Sequence, residues 1–209
     1  MRLHRRALIQ AGLAVLTAQG TQAADGPLPR AQAFVDSVGV NTHLSSEPYA
    51  SALGEVQRLL ARSGIRHLRD ELPAAADVER WRRLSDAVGL RFDLLVSPAK
   101  NKVEDIPAIV RALGVARLSS LEGQNEGDSD WFMAQPAARP SWDRAVVAYQ
   151  RAAYRAVRAL YEPATLPFLS PTVLDYRPQD MLRIREAAPW SDVVAVHSYV
   201  QHGQEPETT

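Results

Sequence analysis

The sequence predicts an α/β protein of the parallel (β/α) TIM-barrel type, with about six of the eight units of a full barrel. Three observations carry this prediction. Short apolar runs alternate with longer segments whose apolar residues recur at every third or fourth position. The connections between them are short, and a glycine ends three successive helices. Polar and ionisable residues collect where each strand passes into its following loop, as in parallel barrels.

Residues 1–24 predict a secretory signal peptide. The basic, apolar and small-residue parts follow in the usual order, in Met1–Arg6, Ala7–Thr17 and Thr21–Ala24. The apolar part is too short to cross a bilayer, and Arg5-Arg6 also allows a twin-arginine signal as the alternative to a Sec signal. We therefore expect a periplasmic or secreted protein. A linker at 25–33 and one incomplete barrel domain at 34–209 are expected to follow.

Six strands are predicted from runs that are apolar or alternate between apolar and polar residues, and that are too short for globular helices. In chain order these are Phe34–His43, Ile65–Asp70, Leu90–Ser97, Val115–Leu121, Phe168–Leu174 and Val193–His197. The helix-length connections between them predict parallel pairing with right-handed crossovers.

Five helices are predicted between the strands from apolar stripes at helical spacing. They are Tyr49–Ser63, Ala76–Val88, a segment capped by Asp105 that runs to Leu113, a long helix from Ser141 to Tyr161, and Gln179–Ala187. Gly64, Gly89 and Gly114 end the first three, as glycine does at helix carboxyl termini.

Composition excludes several classes of function. The 209 residues are 46% hydrophobic and 23% charged, and 24 basic residues balance 24 acidic ones, so no nucleic-acid or membrane-surface partner is expected. The chain has no cysteine, which removes disulfides and thiolate metal sites. No glycine-rich phosphate loop and no metal-ligand spacing occurs, so we expect neither cofactor nor metal.

The stretch 115–128, VARLSSLEGQNEGD, is the most informative part of the chain. A buried strand ends here in the polar residues Asn125 and Glu126. A carboxyl half-buried at a strand end has a raised pKa and can exchange protons, while the neighbouring amide can bind a hydroxyl. The alternative interpretation is a solvated loop glutamate beside a turn-forming asparagine.

Other strand ends carry residues of the same kinds, and a barrel would bring them to one face. The candidate binding residues are Arg69, His43, Asn125, Trp131, His197 and Tyr199. Each also has an ordinary structural interpretation. A single histidine is more often a satisfied core residue, and Trp131 serves equally well as core or as a platform on which a sugar stacks.

Four motifs resemble glycoside hydrolase clan A, as in cellulase-like family 5 and family 39 enzymes: GVNTH at 39–43, IRHLRDEL at 65–72, LEGQNEGD at 121–128 and VVAVHSY at 193–199. The resemblance implies a (β/α)8 barrel that cleaves β-glycosides with retention. It implies Glu126 as general acid/base, Asn125 as a sugar ligand and Arg69 as the residue that steadies the nucleophile. His197 and Tyr199 would line the site.

The resemblance leaves the activity open. The family's nucleophile follows strand seven, and this sequence ends shortly after the predicted strand six, which suggests a chain truncated after that strand. The nucleophile is therefore unknown, and Asp70, Glu71 and Asp175 remain as bases for an inverting reaction. The alternative to a β-glycoside hydrolase is a carbohydrate-binding protein without turnover, or a pseudoenzyme fragment.

Overall fold

The computed structural model describes residues 31–174 and 177–197. The chain divides into two compact units, Met1–Phe34 and Val35–Thr209, and most of the described residues belong to the second. The predicted signal peptide lies outside the described residues, as does Tyr199.

Within the described ranges the protein forms five parallel strands and seven α-helices. The strands are β1 (Gly39–Asn41), β2 (His67–Glu71), β3 (Arg91–Leu95), β4 (Leu118–Glu122) and β5 (Phe168–Leu169). The helices are α1 (Ala31–Val35), α2 (Leu53–Ser63), α3 (Val78–Val88), α4 (Ile106–Leu113), α5 (Asp130–Met133), α6 (Trp142–Arg158) and α7 (Pro178–Arg183). Short 3-10 turns lie at Ala75–Asp77, Val115–Arg117, Pro136–Ala138 and Arg185–Trp190.

The sheet order is β1-β2-β3-β4-β5, and every neighbouring pair is parallel. This confirms the predicted fold class, because consecutive parallel strands with helical crossovers are the construction of a (β/α) barrel. The glycines at positions 64 and 89 end α2 and α3 with φ of 76° and 72°. These angles are left-handed values that favour glycine.

The main core lies between the sheet and its covering helices. Leu68, Phe92 and Leu94 are fully buried there against Trp81 of α3 and Val110 of α4. Since successive side chains of a strand point to opposite faces, the alternate residues of the same strands lie on the other face. We call that face, formed by Arg69, Asp93, Ser120 and Glu122, the inner face; it is polar, whereas barrel interiors usually hold branched aliphatic residues.

The structure shifts several predicted boundaries. The predicted first strand, Phe34–His43, begins instead in helix α1 and narrows to Gly39–Asn41, because the polar pair Asp36-Ser37 interrupts the apolar run. The predicted fourth strand starts later, after a 3-10 turn, and extends through Glu122. At the predicted sixth strand, Val193–His197, the structure has a single parallel bridge, between Leu169 and Val193.

Candidate functional site

Arg69 is the centre of the polar cluster at the carboxyl ends of the strands. Its Nε donates to Glu122 Oε2 over 2.8 Å and its Nη2 to Glu122 Oε1 over 2.6 Å, a two-point pairing. The same Nη2 lies 2.8 Å from Asn125 Oδ1 and 3.1 Å from His197 Nε2. One guanidinium thus ties β2 to β4, to the loop after β4 and to the end of the described chain.

Glu122 keeps its charge although only 2% of its surface is exposed. Burial alone would raise its pKa, but the hydrogen bonds and charge of Arg69, together with the nearby His197 ring, outweigh burial and lower the pKa. Glu122 is therefore an ionised, buried anchor for Arg69. Sequence reasoning missed it, since the predicted strand ended one residue earlier.

Glu126 and His197 form a carboxylate–imidazole pair, with His197 Nδ1 3.0 Å from Glu126 Oε1. Because Arg69 can only donate, His197 Nε2 accepts from it in the neutral ring, and Nδ1 carries the proton given to Glu126. The nearby carboxylate of Glu122, and after it that of Glu126, favours the charged ring and raises the pKa of His197, against burial and the charge of Arg69. When the ring gains a second proton, Nε2 becomes a donor, and Glu122 Oε1 lies 3.7 Å away.

The backbone at Glu126 has φ of 47°, a left-handed value for a non-glycine residue. Its amide nitrogen donates to Thr172 Oγ1 over 3.0 Å, which fixes the loop after β4 against the loop after β5. Left-handed backbone at a bulky residue costs about 1 kcal/mol and is common where a side chain must be aimed at a site. Here it directs the Glu126 carboxyl to the cluster.

A pocket of about 300 Å³ opens beside this cluster. Its apolar lining includes Leu95, the last residue of β3, and Val96, which follows it. Most of the lining residues are polar: His43, Arg69, Glu71, Ser97, Lys100, Asn101, Gln124, Asn125, Glu126 and Ser129. The ring of Trp131, which is 52% exposed, completes the wall.

Lys100 crosses the rim of the pocket. Its Nζ pairs with Glu71 and lies 5.2 Å from the centre of the Trp131 ring, which links the ends of β2 and β3 to helix α5. Below the rim, Ser97 Oγ donates to Gln124 Oε1 over 2.6 Å, and Gln124 Nε2 donates to Asn125 O over 2.6 Å. These bonds hold the Asn125 backbone in place.

Most of the predicted site residues meet at this edge. His43, Arg69, Asn125, Glu126 and Trp131 line the pocket. His197 lies behind it, against Arg69 and Glu126, and together with Arg69 and Glu122 it borders a neighbouring cavity. The convergence of strand ends, the signal that found these residues, does not assign a chemical role to any of them.

Asp70, an open alternative as a base, is turned away from the pocket. Its carboxylate accepts from Thr42 Oγ1 over 2.6 Å and from the backbone nitrogens of Leu44 and Glu71 over 2.9 and 2.7 Å. It therefore holds the loop after β1. Asp175 lies outside the described residues, and Glu71 is engaged by Lys100 at the rim.

Two kinds of feature are absent from the described part of the chain. No cluster of three or more histidine, aspartate or glutamate side chains there is arranged to hold a metal ion. Among those residues no helix combines the length and apolar character needed to cross a membrane.

Comparison with known proteins gives matches among solved structures alone. No protein-family model matches the chain, and no curated protein matches it. Among solved structures, it is similar to a truncated form of 3-deoxy-D-arabino-heptulosonate 7-phosphate synthase from Thermotoga maritima, at 13% identity and a TM-score of 0.43. The match covers 78% of this chain and 53% of the synthase chain, so this chain spans about half of that protein's length.

These comparisons correct the assignment to glycoside hydrolase clan A and the hydrolase function drawn from it. The solved structure named above is a synthase rather than a glycosidase, and no family model matches the chain to support a hydrolase. The physical reason for the error is that short strand-end motifs, such as Asn-Glu, recur in unrelated barrels. The synthase likeness is too distant to carry an argument about chemistry here.

Proposed function

We propose that the pocket beside Trp131 binds a small, neutral, polyhydroxylated molecule, such as a free sugar. The observation that carries the proposal is the composition of the wall: an exposed indole ring faces a set of amides, hydroxyls and carboxylates. Aromatic faces pack against the C–H surfaces of such ligands, while amides and carboxylates bind their hydroxyls. The proposal includes no cleavage of a glycosidic bond.

The charges of the wall favour a neutral ligand. Arg69 is paired with Glu122, and Lys100 with Glu71. An ionic ligand would have to compete with these existing pairs, whereas a hydroxyl-rich one adds hydrogen bonds to them. The volume of about 300 Å³ is at the small end for ligand sites, which suits one or two sugar rings.

Calorimetric titration with glucose, xylose and cellobiose tests the proposal, with glucuronate and glucose 6-phosphate as charged counterparts. We expect the neutral sugars to bind more tightly. Trp131→Ala should weaken binding by roughly tenfold, the value of one aromatic contact. Met133→Ala, also exposed on α5 but outside the pocket, is the matched control and should bind normally.

Two results would overturn the proposal. One is a preference for the charged ligands, which would mean that the ion pairs of the wall open readily. The other is the absence of binding by every neutral sugar while circular dichroism shows a folded protein.

The Glu126–His197 pair favours a second candidate, an enzyme that moves a proton of the bound ligand. A carboxylate oriented by an imidazole is an arrangement suited to general acid–base chemistry. Deuterium from solvent would then enter a carbon position of the sugar, which NMR detects. The exchange should be lost in Glu126→Gln and kept in Glu104→Gln, an exposed control; exchange that survives Glu126→Gln contradicts this candidate.

A further inference from the structure

The exposed ring of Trp131 is already covered in part by a neighbouring side chain. Lys100 Nζ lies over the ring, 5.2 Å from its centre, within the range of a cation–π contact. The same ammonium group pairs with Glu71. All three residues line the pocket of about 300 Å³. A ligand that packs against the ring therefore meets an ammonium group that already contacts it.

The backbones that carry these three side chains are held by hydrogen bonds and packing. Glu71 is the last residue of β2, within the parallel sheet. Lys100 lies in the turn after β3, where its amide nitrogen donates to Ser97 O over 3.0 Å. Trp131 belongs to α5, and the next residue, Phe132, is fully buried. The side chains of Lys100 and Glu71 are 40% and 36% exposed, so a change of contact at the rim requires only their rotation.

We propose that Lys100 is a specificity-determining residue of the pocket, because its ammonium group and a neutral sugar compete for the same face of the Trp131 ring. Without a ligand, the pair with Glu71 holds the ammonium group over the ring. A bound sugar packs its C–H surface there instead, and the Lys100 side chain turns off the ring. This inference rests on the proposed function and adds the residue that sets the affinity.

The strength of the contact between Lys100 and the ring predicts how much affinity the competition removes. A cation–π contact at an exposed site favours the covered ring by about two- to fivefold. The pair with Glu71 is also exposed and adds little to this. Because only molecules with an uncovered ring can take the sugar, the apparent dissociation constant rises by a comparable factor. The contact is thus weak enough for a sugar to displace and strong enough to measure.

Calorimetric titration of the full-length chain with xylose and cellobiose tests the competition in three variants. Lys100→Ala uncovers the ring and should bind these sugars about two- to fivefold more tightly than the wild type. Lys100→Arg keeps the charge, and a guanidinium group stacks well on aromatic rings, so this variant should bind no more tightly than the wild type. Lys102→Ala removes the same charge from an exposed position outside the pocket lining and should bind as the wild type does.

Salt gives a second measurement, one that a merely structural role of Lys100 would not change. The sugars are neutral, so their own contacts depend little on ionic strength, whereas salt screens the exposed pair of Lys100 and Glu71. Raising sodium chloride from about 0.05 to about 1 M should tighten sugar binding to the wild type toward that of Lys100→Ala. Sugar binding to Lys100→Ala itself should stay constant.

The outcomes separate this inference from the proposed function. Equal affinities of the wild type and Lys100→Ala would overturn the competition and leave the proposed function intact. An equal gain in Lys102→Ala and Lys100→Ala would also overturn the competition, since the effect would then come from net charge. If neither the wild type nor Lys100→Ala binds a neutral sugar while circular dichroism shows folded protein, the proposed function fails and the competition fails with it.

Discussion

Replacing Asp93 by asparagine should change how stability depends on pH. The pKa of Asp93 is about 6 in the folded protein against an ordinary 3.8, a difference of about two units. At 1.36 kcal/mol per unit, this is at most about 3 kcal/mol. Because the folded state binds the proton more tightly than the unfolded state, stability falls as pH rises through the window from about 4 to 6.

Asparagine cannot ionise, so the variant loses this slope. We expect the wild type and Asp93→Asn to be about equally stable at pH 4. At pH 7.5 the variant should be more stable by about 2–3 kcal/mol, or roughly 4–12 °C in melting temperature for a domain of this size. The assay is urea unfolding followed by circular dichroism at half-unit steps of pH. The control is Asp105→Asn, an exposed residue without a capping hydrogen bond.

The test is how the difference in unfolding free energy between the wild type and Asp93→Asn changes with pH. A difference that grows between pH 4 and 6 and then levels supports the raised pKa of Asp93 in the folded protein. A difference that is constant across pH would refute the reasoning, because only a pKa that changes on folding produces a slope.

Two further predictions concern stability. Gly123→Ala should destabilise the protein by about 1–3 kcal/mol in urea unfolding, because the added methyl group would lie 2.9 Å from the Pro171 nitrogen. Gly54→Ala is the control: its methyl group would have nothing within 4 Å in α2, so it should stabilise the protein by about 0.5–1 kcal/mol, and equal effects of the two substitutions would contradict the prediction. Arg69→Met should lower the free energy of unfolding by about 2–4 kcal/mol at pH 7.5, since it leaves the carboxylate of Glu122 buried without its guanidinium partner. Much of this loss should vanish in the double variant that also carries Glu122→Gln, and additive losses would contradict the pairing.

The sequence predicted the order and direction of the strands because alternating apolar periods and glycine caps are local signals. It placed Arg69, Asn125 and Glu126 at one edge for the same reason. It did not predict that Asp93 meets Ser120 or that Glu122 pairs with Arg69, although Phe92-Asp93-Leu94 alternates visibly. Which polar residues of neighbouring strands meet depends on register, and the register shift between Phe92 and Asp93 leaves no mark in composition.

The family assignment failed for a different reason. The quoted motifs contain residue types that any parallel barrel displays at its carboxyl edge, so their likeness followed from the fold. The structure pairs Arg69 with Glu122 of β4, a contact that none of the quoted motifs indicated. The local geometry is therefore a firmer basis for the proposed function than the motifs.

The indole N–H signals of the four tryptophans test the central claim most directly. Trp131 is 52% exposed at the pocket, whereas Trp81 is 1% exposed in the main core. On titration with xylose or cellobiose, we predict that the Trp131 signal moves in a saturable manner and that the Trp81 signal stays in place. A Trp131 signal that does not move at saturating sugar, in a protein whose other signals show it folded, would contradict the account.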